Sequence, residues 1–294
     1  MTNAPFNETE LTLDVGDGVT LNGTLRRPST EPIGQIICLP GLTRNKSDFS
    51  EIASILATEG YEVACISLRG RAQSSYTDYS TSHPVQYRDD VFAALDRLKW
   101  QSAVFLGTSL GGIVTMLCAE ADASRIRAAI INDIGTELAV EGIARIMGYM
   151  ASRPDQPSTL TFDEAVSSIK DINRVAFPNV DDTFWEKMAK RTFRPMSDGS
   201  WALDYDQNIS RALAELGPAP DLTPGWKALA DTPTLLVRGA ISDLLSPEIV
   251  EKMREERPGF AYIEAAHIGH APMLDEPDVA PEIIAFLGEN VARG

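Results

Sequence analysis

Cysteine, histidine and positive charge are all scarce in this chain. Its three cysteines, Cys38, Cys65 and Cys118, each lie inside an apolar run such as Ile36-Ile37-Cys38-Leu39. An odd number of thiols in core-like runs excludes a disulfide framework and points to reduced, buried side chains. No CxxC or Cys/His spacing offers a metal cage, so neither a metal nor a cofactor is expected. Lys and Arg number 26 against 42 Asp and Glu, a net charge of −16 over 294 residues. Such a surface repels phosphate backbones and anionic lipid, which sets aside nucleic-acid and membrane partners and leaves a small-molecule substrate, with a homodimer left open. No apolar run approaches the ~18 residues of a membrane span. The segment Met1 to Asp17 has neither the basic nor the apolar region of a secretion signal, so a cytoplasmic protein is expected. Repeats and low-complexity segments are absent too.

What is present is an alternation of two patterns. Glu10–Val15 and Val19–Leu25 alternate at period two around Asp17-Gly18, the mark of an antiparallel hairpin at a sheet edge. Gln35–Leu39, Tyr61–Leu68, Ala103–Leu106, Ala128–Ile131 and Thr234–Val237 are instead continuous apolar runs, as expected of parallel strands covered on both faces. Helical periodicity separates them over Phe49–Thr58, Val85–Trp100 and Leu110–Glu120, and Ser246-Pro247 reads as a further helix start. The implied fold is α/β, built on an open parallel sheet. Between about Glu137 and Trp226 the rhythm breaks into a mainly helical stretch with a proline-rich exit, Gly217–Pro224. It reads as an insertion over the carboxyl edge of the sheet, where ligands bind in such folds.

The chemistry centres on Gly107-Thr108-Ser109-Leu110-Gly111, which reads G-x-S-x-G between an apolar strand and an apolar helix. That context places the Ser109 hydroxyl on a tight turn with backbone N–H groups aimed at the same spot. A neutral hydroxyl needs a base. Of the three histidines, His270 follows the last strand pattern, on a loop able to reach the sheet's carboxyl edge. His267 reads as structural or solvent-facing, and His83 as part of the loop before the helix from Val85. A carboxylate must orient the imidazole. Asp243, in the loop after Thr234–Val237, is the first choice; Asp133, in Asn132-Asp133-Ile134-Gly135, is the rival, with a loop-tying reading preferred for it. Oxyanion donors are expected from the backbone N–H of Leu110 and of Leu42, the latter turned inward by Gly41. Arg44, Trp185 and Met147 are candidate substrate contacts.

These segments resemble the α/β-hydrolase fold superfamily, in its lid-bearing serine hydrolase branch. Leu39-Pro40-Gly41-Leu42-Thr43, Leu68-Arg69-Gly70-Arg71, the Ser109 elbow, Arg238–Asp243 and Gly269-His270-Ala271-Pro272 carry the likeness. The chain departs from the pattern at Pro40, where the family usually has histidine, and at Ser67 and Ala72 in D-x-R-G-x-G-x-S. The resemblance implies a mostly parallel eight-stranded sheet, with core 1–136 and 226–294 and a helical cap over 137–225. It implies a carboxylesterase-like enzyme working through Ser109, His270 and Asp243. Two alternatives stay open: a C–C bond hydrolase or enol-lactonase, with Arg44 or Arg145 holding a substrate carboxylate, and a receptor-like slow hydrolase.

Overall fold

Each apolar run becomes a strand because both of its faces find cover. In a computed structural model, which describes residues 5–152, 159–215 and 221–291, eight strands form one sheet in the order β1-β2-β4-β3-β5-β6-β9-β10. The edge hairpin is β1 (Phe6–Gly16) and β2 (Val19–Pro28), paired antiparallel with Leu13 opposite Leu21. β2 runs antiparallel to β4 (Glu62–Ile66). From there β3 (Gln35–Leu39), β5 (Ala103–Thr108), β6 (Ile126–Asn132), β9 (Thr234–Gly239) and β10 (Ala261–Ala265) continue in parallel.

Two helical layers complete the sandwich. Helices α1 (Ser50–Thr58) and α10 (Ala280–Asn290) bury Ile52, Leu56, Ile283 and Leu287 against one face. On the other lie α2 (Pro84–Leu98), α3 (Leu110–Asp122), α8 (Thr223–Ala228) and α9 (Pro247–Glu256), which bury Val91, Val114, Trp226 and Met253. Fully burying such a side chain stabilises by about 1.5–3 kcal/mol, so the parallel strands form the rigid part of the molecule. Helix starts follow local chemistry: the His83 ring accepts from Gln86 N at 3.2 Å to cap α2, and Ser246 caps α9 ahead of Pro247. Among the described residues no helix is long and apolar enough to cross a membrane.

Between β6 and β9 the chain leaves the sheet. It forms α4 (Val140–Ser152), α5 (Phe162–Asn173), α6 (Asp182–Thr192), the short hairpin β7 (Phe193–Pro195) and β8 (Trp201–Leu203), and α7 (Ile209–Glu215). A capping box, Thr161 with Glu164, starts α5. This insertion has its own small core of Ile169, Phe177, Trp185 and Met188. It is tied down by backbone bonds, from Ala72 N to Asp204 O at 2.8 Å and from Asp206 N to Gly70 O at 2.7 Å. The two-stranded hairpin was not anticipated, because three-residue strands leave no periodicity to read. Residues 217–220 of the proline-rich exit lie outside the described residues. By Thr223 the chain has rejoined the helical layer, with Gly225 packed onto the Met116 backbone.

Candidate active site

Strand β5 ends at Thr108 and α3 begins at Leu110, leaving Ser109 alone to make the turn at φ 54°, ψ −115°. A positive φ in a non-glycine residue is strained, and it persists here because the surroundings admit nothing else. A Cβ on Gly107 would lie 2.4 Å from the Gly111 carbonyl oxygen, and one on Gly111 would lie 1.9 Å from that of Leu39. The two flanking glycines of G-x-S-x-G are therefore demanded by backbone contact. The turn is also pinned from the neighbouring strand, where Ser109 N donates to Asn132 O at 2.9 Å.

The hydroxyl so presented meets the expected base. Ser109 Oγ lies 2.9 Å from His270 Nε2, and His270 Nδ1 lies 2.8 Å from Asp133 Oδ2. A carboxylate can only accept, so Nδ1 carries the proton and Nε2 is free to accept from the serine. Asn132 holds the histidine loop in place by donating through Nδ2 to Pro272 O at 2.8 Å. The insertion does the same from above, where Gly269 N donates to Ala176 O at 2.7 Å.

The carboxylate bonded to His270 thus differs from the first choice of the sequence reading. Asp243 makes no bond to His270; it faces Arg145 of α4, whose Nε and Nη2 donate to its two oxygens at 2.5 and 2.9 Å. Burial pushes the Asp243 carboxyl up, but the hydrogen bonds and charge of Arg145 outweigh it and hold the group below the usual carboxylate range. Asp133 is fully buried, with 0% exposure. Its Oδ1 accepts from Gly239 N at 2.8 Å, and its Oδ2 also accepts from Ser242 Oγ at 2.7 Å. The loop-tying role preferred for Asp133 is real, but it coexists with the bond to the imidazole. The reason lies in register: Thr108 pairs with Asn132, so the residues that immediately follow, Ser109 and Asp133, sit side by side at the rim. Ser242 went unnoticed in the sequence, where nothing distinguishes it from an ordinary loop serine.

Two backbone donors complete the arrangement. Among the described residues neither Leu42 N nor Leu110 N has an acceptor, Leu110 being the first residue of α3. A Cβ on Gly41 would lie 3.7 Å from Ser109 Cβ, so the loop bearing Leu42 runs beside the serine. That loop is held from behind by Arg71, a fully buried residue whose Nε and Nη2 donate to Leu42 O at 3.1 and 2.7 Å. Its Nη1 donates to Arg69 O at 2.7 Å and to Tyr87 Oη at 2.6 Å.

Comparisons with known proteins agree with this architecture. Residues 36–280 match the model of the alpha/beta hydrolase family. The chain belongs to that family. It is 30% identical over 251 residues to a 3-hydroxybutyrate-oligomer hydrolase of Cupriavidus necator, covering 82% of this chain and 84% of that one. An alpha/beta hydrolase from Novosphingobium aromaticivorans superposes with a TM-score of 0.83 at 38% identity, over 99% of each chain. A crystal structure from Rickettsia typhi shares the fold, with a TM-score of 0.81 at 22% identity over 97% of this chain and 99% of that one.

In this family member a cleft of about 120 Å³ opens between Ser109 and the insertion. Arg44 lines it, its Nε and Nη2 donating to Asp48 at 2.7 and 2.5 Å while Nη1 bonds Thr192. Arg145 lines it too. The other two candidate contacts do not. Trp185, 2% exposed, packs inside the insertion's own core, its ring centroid 5.2 Å from that of Phe184. Met147, 37% exposed, is turned outward on α4, whereas Ile146 and Tyr149 of the same helix line the cleft. Helical periodicity in the sequence shows that a face is apolar without showing which neighbour it meets.

Proposed function

We propose that this protein hydrolyses carboxylic esters through a covalent acyl-enzyme on Ser109, with His270 as general base and acid and Asp133 as the orienting carboxylate. The unbroken bond series from Ser109 Oγ to His270 to Asp133, at 2.9 and 2.8 Å, is the observation that carries this reading. In the first step His270 Nε2 accepts the serine proton as Oγ attacks the ester carbonyl. The developing oxyanion takes the N–H groups of Leu42 and Leu110, each of which is worth about 3 kcal/mol in comparable sites. The imidazolium, stabilised by Asp133, then protonates the departing alcohol, and water repeats the sequence to free the acid.

The name of the Cupriavidus necator relative, an oligomer hydrolase, supports ester cleavage over C–C bond cleavage. The small cleft and its apolar wall of Ile169, Ile172 and Phe177 fit a short acyl group. In this reading the segment 137–225 acts as the cap that keeps water away from the acyl-enzyme. A fluorophosphonate probe tests the proposal: the adduct is expected on Ser109, lost in Ser109→Ala together with p-nitrophenyl ester turnover. An adduct on any other residue would sink the assignment.

A further inference from the structure

Cations are few in this chain, yet two of them line the cleft. Besides His270, the charged groups lining it among the described residues are Arg44, Asp48 and Arg145. Arg44 and Asp48 grip each other through two bonds, so that pair cancels within the cleft. Arg145 differs. Its counter-ion, Asp243, does not line the cleft and stands behind the guanidinium, occupying Nε and Nη2. The Nη1 edge, two further N–H groups, has no acceptor among the described residues, and the side chain is 21% exposed. Among the described residues, Arg145 is therefore the one guanidinium lining the cleft whose counter-ion lies outside it, inside a protein of net charge −16.

We propose that Arg145 anchors a carboxylate borne by the substrate, so that the site selects monoanionic esters over neutral ones. This rests on the ester-hydrolase reading and deepens it. A guanidinium presents its donors in a planar fork that matches a carboxylate, and Asp243 already fixes that plane, so little side-chain freedom is lost when the ligand arrives. Ile146, Ile169 and Phe177 line the same cleft, and an apolar surround strengthens a charge-assisted hydrogen bond at Nη1. Bulk surface charge repels an anion at long range, so recognition depends on this one short-range contact. Arg145 touches no reacting atom in this scheme; it decides which ester is held over Ser109.

The experiment compares two matched pairs of esters. In one, the carboxylate is on the acyl side: mono-p-nitrophenyl glutarate against p-nitrophenyl pentanoate. In the other it is on the alcohol side: the butanoyl ester of 4-hydroxybenzoate against that of methyl 4-hydroxybenzoate. In at least one pair the wild type is expected to favour the anion by roughly 10- to 100-fold in kcat/KM, the range of a hydrogen bond to a charged group. The preference should shrink as salt is raised. Arg145→Gln should bring the ratio near one. Asp243→Asn breaks the same ion pair but leaves the guanidinium, so it should keep the preference. A ratio of one or less for the wild type in both pairs overturns the proposal, and so does a preference that survives Arg145→Gln. Equal collapse in both variants also overturns it, because that is the mark of a mere latch between insertion and sheet. Turnover of the neutral esters alone refutes only the anchor, whereas no turnover of any of the four removes the ester-hydrolase reading as well.

Discussion

The loops that follow β6 and β9 each carry an aspartate to the same rim of the sheet, yet they put it to different use. Asp133 follows β6 with no spacer, is sealed from solvent and is bonded by Gly239, Ser242 and His270. Asp243 sits deeper in its loop, is 33% exposed and spends both oxygens on Arg145. The difference shows what fits a carboxylate to orient an imidazole. Here the strand that leads into Asp133 is adjacent to the one that leads into Ser109, so its position follows from sheet register, and fixed donors fill its remaining lone pairs. A carboxylate on a longer loop lacks that rigid mounting and is free to serve the insertion instead.

The sharpest way to break the comparison is to neutralise each acid in turn. Asp133→Asn keeps the shape but reverses the hydrogen-bond preference of His270 Nδ1, and kcat should fall by about 10⁴-fold, as for the corresponding change in a serine protease. Asp243→Asn should leave turnover of a neutral ester within about tenfold of wild type. Steady-state kinetics on p-nitrophenyl butanoate checks both, and the opposite ranking would return Asp243 to the triad.

That contrast also marks how far the sequence could be read. Ser109 and His270 were legible because each depends on local pattern: a glycine-flanked serine between strand and helix, and a histidine just past the last strand. The strands were legible because residues such as Ile36, Ile37, Val104 and Phe105 are buried on both faces of a sheet and leave unbroken apolar runs. The acid was not, because both aspartates follow strands and only the pairing of Thr108 with Asn132 says which is adjacent to the serine. One signal was available: Asn132-Asp133 abuts its strand as Thr108-Ser109 does, whereas Asp243 is set off by a longer loop. Trp185 and Met147 do not line the cleft for a similar reason, since a helix's periodicity does not reveal what its faces meet.

A middle-sized effect is expected at Arg71, which sharpens the comparison by asking whether the oxyanion loop is mounted as rigidly as Asp133. Its fork on Leu42 O fixes the peptide next to the Leu42 N–H, and among the described residues its buried guanidinium is bonded to neutral oxygens alone. Arg71→Met should lower kcat by about 10²-fold, comparable to loss of one oxyanion donor, with KM changing far less. Arg71→Lys supplies charge without the fork and should recover only part of the loss. Equal changes in kcat and KM would show that the residue merely holds the fold.

The smallest effect concerns the stability that Asp243 gives through Arg145. The Asp243 carboxyl is held below its ordinary value of 3.8, so the folded state binds that proton more weakly than the unfolded chain. A depressed folded pKa contributes stability that is complete above the ordinary value and is lost as pH falls through the lower one. The pair is partly exposed, so its worth is about 1 kcal/mol or less, equivalent to roughly 3 °C in Tm at most. The Tm gap between wild type and Asp243→Asn should therefore stay level from neutral pH down to about 4 and close on further acidification, by which point both chains carry an uncharged group there. A gap that persists in acid would mean that the substitution acts through loop packing, and that the ion pair contributes nothing to holding the insertion to the sheet.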